Sequence, residues 1–201
     1  VALEGETIAA CVTEIGYYAF YNCNSMLYDQ ITIPGVTLVD GWVINCETAV
    51  IGDLDLTGVK GIGPNAFNGC NLITSVTIPN SVKGIGDEAF RYCSSLASMM
   101  IPNSVINIGW SAFEGCSSLT SVIFAPAKDL RVGVNAFASC PSLGAVGVTD
   151  IGAWCEVEFA NKGANPLTTA HNLYTTKLVK EIVVPEGVNR IGSYVFSGCS
   201  S

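Results

Sequence analysis

Gly61-x-Gly63-x-x-Ala66 and Gly84-x-Gly86-x-x-Ala89 both satisfy the glycine fingerprint of a dinucleotide-binding turn. That turn uses small residues so that the backbone can approach a pyrophosphate. The context argues against it here. The first glycine becomes Asn107 in the next copy of the string, and no βαβ unit of roughly 30 residues surrounds either copy. Both strings read as corners of a repeat, and no cofactor is expected. His171 is the one histidine of the chain, so histidine-dependent acid–base or nucleophilic chemistry must run through it. Spacing ties no serine or cysteine to it, and no His-plus-Cys arrangement resembles a zinc site. A packing or hydrogen-bonding role is the expectation. Asp53 and Asp55 alternate on one short run and should project from the same face of a strand. Calcium prefers several carboxylate and carbonyl oxygens, so this pair reads as a solvated acidic edge. Glu156 and Glu158 receive the same reading, and neither pair can be assigned a glycosidase geometry. No catalytic residue and no metal ligand emerge.

The elements that position these residues follow a beat. Cys23, Cys46, Cys70, Cys93, Cys116, Cys140 and Cys199 each lie eight residues after an apolar residue: Ile15, Leu38, Ile62, Ile85, Ile108, Val132 and Ile191. Successive intervals are 23, 24, 23, 23, 24 and 59 residues, and a fixed period of this size is the mark of a solenoid. The cleanest unit runs Leu96-x-x-Met99-x-Ile101-Pro102-x-x-Val105-x-x-Ile108-Gly109-x-x-Ala112-Phe113-x-x-Cys116. Val76-Thr77-Ile78 alternates as a half-buried strand does, and proline then stops the ladder. The glycine after the isoleucine is expected to take a positive φ at a corner. Ala-Phe and cysteine should form a short helical turn pointing inward. The registered cysteines read as reduced, small buried fillers, with Cys11 and Cys155 outside the register.

Two coils are irregular, at about 38–56 and 149–181. In the first, Leu38-Val39 is expected to replace Ile-Gly, and Trp42-Val43 to replace Ala-Phe. Its strand should be Asp53 to Leu56, with Thr57-Gly58 in place of proline. The second carries Trp154-Cys155, Asn165-Pro166-Leu167, Ala170-His171 and Leu173-Tyr174, and rhythm resumes at Ile182. Glu6-Thr7-Ile8 reads as the tail of a strand. Residues 1–201 are expected to form a single solenoid domain, trimmed from a longer protein.

Composition agrees with a long continuous core: 49% of residues are apolar and 13% are charged. The net charge of −8 repels phosphate backbones and anionic headgroups, which excludes nucleic acid and membrane surface as favoured partners. No apolar run reaches the ~18 residues of a membrane helix.

The unit, with Ile-Pro, Ile-Gly, Ala-Phe and Cys at these offsets, resembles the BspA-like leucine-rich repeats of the Treponema pallidum type. The resemblance implies an α/β, right-handed leucine-rich-repeat solenoid with a parallel concave β-sheet and short helical turns on the convex side. The segment from Trp154 to Tyr174 resembles the enlarged coil of many members. Known members are mostly bacterial surface or secreted proteins, some adhesive toward host or matrix proteins and other bacteria; others occur in parasitic protists. The resemblance therefore implies an extracellular or cell-surface location and a non-enzymatic recognition module. Its partner would be a protein or glycan on a host or bacterial surface. The alternative is a structural spacer or stalk that presents another domain.

Aligned coils place the outward strand residues in two rows. One row holds Thr32, Asp55, Thr77, Met100, Ile123, Gly147 and Val183; the other holds Gln30, Asp53, Ser75, Ser98, Ser121, Ala145 and Glu181. The candidate ligand-binding residues are Thr32, Asp53, Asp55, Thr77, Ser98, Met100, Ser121, Ile123 and Val183. Exposed apolar residues on adjacent strands, Met100 and Ile123, can mark a protein contact, although a parallel sheet also tolerates apolar residues on both faces.

Overall fold

A computed structural model describes residues 8–9, 11–20, 28–29, 32–175, 177 and 179–200. Cys23, Gln30, Glu6 and Thr7 lie outside the described residues. The elements in chain order are β1 (Tyr28–Asp29), β2 (Val36–Val39), β3 (Trp42–Cys46), β4 (Gly52–Asp55), β5 (Gly61–Ile62), β6 (Ile73–Thr77) and β7 (Gly84–Ile85). They continue with β8 (Ser98–Ile101), β9 (Asn107–Ile108), β10 (Ser121–Phe124), β11 (Arg131–Val132) and β12 (Ala145–Val148). The last are α1 (Ile151–Cys155), β13 (Glu158–Phe159), α2 (Leu167–Ala170) and β14 (Leu173–Tyr174).

Each regular coil contributes one strand to each of two ladders. The first sheet runs β4-β6-β8-β10-β12-β14, its pairs all parallel. Its inward residues are Leu54, Val76, Met99, Val122, Val146 and Leu173, all buried. The second ladder is built from the isoleucine corners β5, β7, β9, β11 and β13, extended at one end by β3, β2 and β1. A single parallel sheet was expected; the corners themselves make a second one. A coil cannot bury its own apolar edge, so stacking on the next coil is obligatory. One apolar cluster accordingly runs from Ile33 to Val195.

The glycine of each Ile-Gly corner does a different job from the one expected. Gly86, Gly109 and Gly133 do not have positive φ. A Cβ on Gly86 would lie 2.5 Å from the Gly63 carbonyl carbon, and one on Gly133 would lie 2.6 Å from the Trp110 nitrogen. Glycine is there because consecutive coils touch backbone to backbone. The positive φ falls two residues later, on Asn65, Glu88, Ser111 and Asn135. It falls again just before the cysteine, on Gly69, Tyr92, Gly115, Ser139 and Gly198.

Between these two kinks the Ala-Phe-Cys segment is a turn rather than a helix, and its amides bond to the next coil. Phe67 donates to Ala89 O at 2.7 Å, Phe90 to Ala112 O at 2.7 Å and Phe113 to Ala136 O at 2.8 Å. The rings of Phe67, Phe90, Phe113 and Phe137 stack in a file, with centroids 4.9, 5.3 and 5.0 Å apart and planes within 9° of parallel. Trp154 ends the aromatic core by meeting Phe124 and Phe159 edge-on, at 5.2 and 5.4 Å.

The cysteines are more than filler. The thiols of Cys93, Cys116 and Cys140 donate to the carbonyls of Phe67, Phe90 and Phe113 at 3.1, 3.2 and 3.2 Å. Alanine would fill similar space without supplying that donor. The eight described cysteines are free thiols. Burial, aided by the neighbouring Cys70, pushes the Cys93 thiol up to about 12, and burial pushes Cys140 up to about 11. Thiolate is the reactive form. A disulfide reagent at neutral pH should therefore label Cys11, which is exposed, well before Cys93, Cys116 and Cys140. Peptide mapping after timed labelling checks this, and equal rates would contradict the buried file.

Four expectations are corrected at the irregular coils. Leu38-Val39 does not stand in for Ile-Gly. Residues 36–46 form a β-hairpin whose turn, Asp40-Gly41, has positive φ at both positions. Its returning strand aligns Trp42 with Gly61 and Val43 with Ile62, so Val43 holds the isoleucine place and Trp42-Val43 does not replace Ala-Phe. Because β2 occupies the flank of β3, Ile15 does not join the ladder either. Its segment lies along the outside of the second sheet, where the Thr13 carbonyl faces Gly84 and Tyr17 stacks on Trp110 at 6.1 Å. The enlarged coil retains both strands, β13 and β14. It inserts α1 where proline turns the regular coils, capped by the Asp150 carboxylate on Gly152 N and Ala153 N. Finally, residues 181–185 form no strand, so rhythm does not resume at Ile182 in the sheet. No helix among the described residues is long and apolar enough to cross a membrane.

Candidate functional site

The outward residues of the first sheet form one continuous surface. Asp53 lies beside Ser75 and Asp55 beside Thr77; Ser75 lies beside Ser98. Ser98 and Met100 stand beside Ser121 and Ile123, and those two beside Ala145 and Gly147. Seven of the nine candidate residues are thus brought together: Asp53, Asp55, Thr77, Ser98, Met100, Ser121 and Ile123. Met100 is 54% exposed and Ile123 42%, because alternation in a strand sends them away from the core.

Thr32 and Val183 do not extend the row. Thr32 sits in a turn and donates its backbone N–H to the Asp29 carboxylate at 3.0 Å; β4 is the last strand of the sheet on that side. Val183 is exposed but lies in no strand, and with it Glu181 leaves the second row. The place beside Gly147 belongs to Tyr174. Sequence reasoning missed this residue although its signal was present: Leu173-Tyr174 repeats the inward-outward pair of Val146-Gly147.

The acidic end is hydrogen-bonded rather than bare. Asp53 Oδ1 accepts from the hydroxyls of Ser75 at 2.7 Å and Thr74 at 3.0 Å. Asp55 Oδ1 accepts from the Thr57 hydroxyl at 2.7 Å and its N–H at 2.9 Å. Those bonds hold both carboxyls below the usual carboxylate range, through Ser75 for Asp53 and Thr57 for Asp55. Both are therefore anionic at neutral pH.

The chemically suggestive residues elsewhere have structural partners. His171 ends α2 in the left-handed conformation, and its Nδ1 meets Gly198 O at 2.8 Å. With a carbonyl as partner, that nitrogen must carry the proton. Asn165, buried at the start of α2, donates to Tyr194 O at 2.6 Å and accepts from Leu167 N at 2.9 Å. Together these bonds fasten the enlarged coil to the next one. Glu158 is held by Arg190 and by Ser193 N, and the Glu156 carbonyl accepts from Arg190. The Trp42 ring covers Gly61, and no helix follows either glycine string. Among the described residues no group of three or more His, Cys, Asp or Glu side chains could hold a metal ion.

Stacked coils of this period, with one outward parallel sheet, define a leucine-rich-repeat solenoid. The BspA-type leucine-rich repeat model matches residues 2–48, 51–160 and 168–201 in six copies, and the chain belongs to that family. Leucine-rich repeats of this kind are commonly protein-binding scaffolds and typically non-enzymatic, and the family is typically found in bacterial surface or secreted proteins. A leucine-rich repeat protein from Eubacterium ventriosum is similar in fold, with a TM-score of 0.62 at 19% identity over 83% of this chain and 49% of the other. The Treponema pallidum leucine-rich repeat protein is 30% identical over 50% of this chain and 46% of its own, with a TM-score of 0.45. The chain thus spans about half the length of these two solved relatives. No curated protein matches it.

Proposed function

We propose that this solenoid is a recognition module of a bacterial surface or secreted protein, and that the outward face of the first sheet binds a protein or glycan. The carrying observation is the pair Met100 and Ile123, side by side on adjacent strands and half exposed. Both are already about half buried, so completing their burial in a partner would contribute roughly half the value of a full burial, about 1 kcal/mol each. The alternating pattern does not itself require them, since Ser98 and Ser121 occupy outward places on the same strands. An adhesive role toward host or other bacterial surfaces fits the company this family keeps.

The test is capture of surface proteins and glycans by the parent chain and by Met100→Asp/Ile123→Asp. Partner affinity should fall at least tenfold while Tm stays within a few degrees, because both residues face solvent. Equal binding by the double variant would contradict the assignment. A spacer role is the second reading, favoured by the repeated scaffold alone; it predicts no partner that depends on this face.

A further inference from the structure

The first sheet's outward face is charged at one end and apolar in the middle. Both hydrogen bonds to Asp53 fall on Oδ1, and so do both bonds to Asp55. Among the described residues nothing donates to either Oδ2, and no lysine or arginine pairs with either carboxylate. Two anionic oxygens at the sheet edge are therefore free to accept. Beyond Met100 and Ile123 the face drops to Ala145 and Gly147 before Tyr174. Ile123 leans over this step, its Cγ1 3.2 Å from where a Cβ on Gly147 would stand.

The spacing of these features selects an occupant. Neighbouring strands lie about 4.8 Å apart, so Asp55 and Ile123, three strands apart, are separated by roughly 14 Å. An extended chain rises about 3.4 Å per residue, which places residues i and i+4 on one side at roughly the same separation. Between them in the same row lie Thr77 and Met100, and the neighbouring row, Ser75, Ser98 and Ser121, offers hydroxyls that donate or accept.

We propose that the occupant is an extended protein segment laid across the strands, with a lysine or arginine at i over Asp53 and Asp55 and an apolar side chain at i+4 over Met100 and Ile123. This rests on the reading of the face as a recognition surface and names its partner's chemistry. The net charge of −8 favours encounter with a basic partner.

Selection of phage-displayed random dodecapeptides on the immobilised chain tests it. Enriched peptides should carry Lys or Arg four residues from Leu, Ile, Met or Phe. Their affinity should drop at least tenfold for Asp53→Asn/Asp55→Asn, and also as salt is raised, since exposed pairs are screened. Enriched peptides without that spacing, or peptides that bind the double variant as well as the parent, would overturn the proposal, as would no enrichment. Peptides lost on Met100→Asp/Ile123→Asp but indifferent to Asp53→Asn/Asp55→Asn would overturn the basic-segment proposal alone and leave the recognition reading standing.

Discussion

Gly109→Val is expected to break the solenoid at its middle, with a stability loss of about 3 kcal/mol or more. Overpacking ordinarily costs about 1–3 kcal/mol when neighbouring side chains can give. Here the obstacle is backbone: even a Cβ on Gly109 would collide with the Asp87 nitrogen and α-carbon of the preceding coil. Relief requires the two coils to separate, which would break Gly109 N to Ile85 O and Glu88 N to Trp110 O, bonds of 2.8 and 2.9 Å. Gly58 is the control. It has φ +90 with no atom near its Cβ position, so Gly58→Ala should cost only the left-handed penalty of about 1–2 kcal/mol. Thermal unfolding of both variants decides the matter; similar Tm losses would mean that conformation, not coil contact, sets the glycine requirement.

Phe113→Ala should cost about 3–5 kcal/mol, the range for deleting a fully buried aromatic side chain. Phe113 is fully buried between Phe90 and Phe137, so its removal opens a cavity that both neighbouring rings line. Collapse around that cavity is limited, because Phe113 N and the Phe113 carbonyl are tied to Ala136 and Cys140 in the next coil. In a solenoid such a loss weakens the interfaces on both sides of one coil. Chemical denaturation followed by Trp fluorescence measures it. A loss under about 1 kcal/mol, the scale of a surface change, would show that the ring file contributes little.

Inward residues were the most legible part of the chain. Period and alternation place Val76, Ile85, Phe90 and Cys93 in the core without reference to neighbours. What they do not convey is which physical constraint each corner obeys. Glycine at 86, 109 and 133 is consistent with either a positive φ or a close approach, and only coil contact distinguishes them. The true left-handed positions, Asn65, Glu88, Ser111 and Asn135, share no residue type that would betray a common conformation.

Register failed where local structure replaced a repeat feature. The Asp40-Gly41 turn folds residues 36–46 back on themselves, which moves the ladder position from Leu38 to Val43. The insertion after Val148 hid Leu173-Tyr174, whose place in the row had been given to Val183. On the candidate face, Asp53 through Ile123 were readable because regular strands carry them. Thr57 as the clamp on Asp55 was not, since it stands where the repeat normally has proline.

The recognition face requires adjacent coils to hold their outward residues side by side. Cysteines introduced at Ser98 and Ser121, which are paired across β8 and β10, would sit about 4.8 Å apart, within the ~4.4–6.8 Å that a disulfide spans between α-carbons. Cysteines at Ser98 and Ala145 would be two strands apart, roughly 10 Å, and out of reach. Mild oxidation followed by mass spectrometry of proteolytic fragments should find the 98–121 link and not the 98–145 link. Finding the second link as readily as the first, or neither, would contradict the stacking on which the recognition face is built.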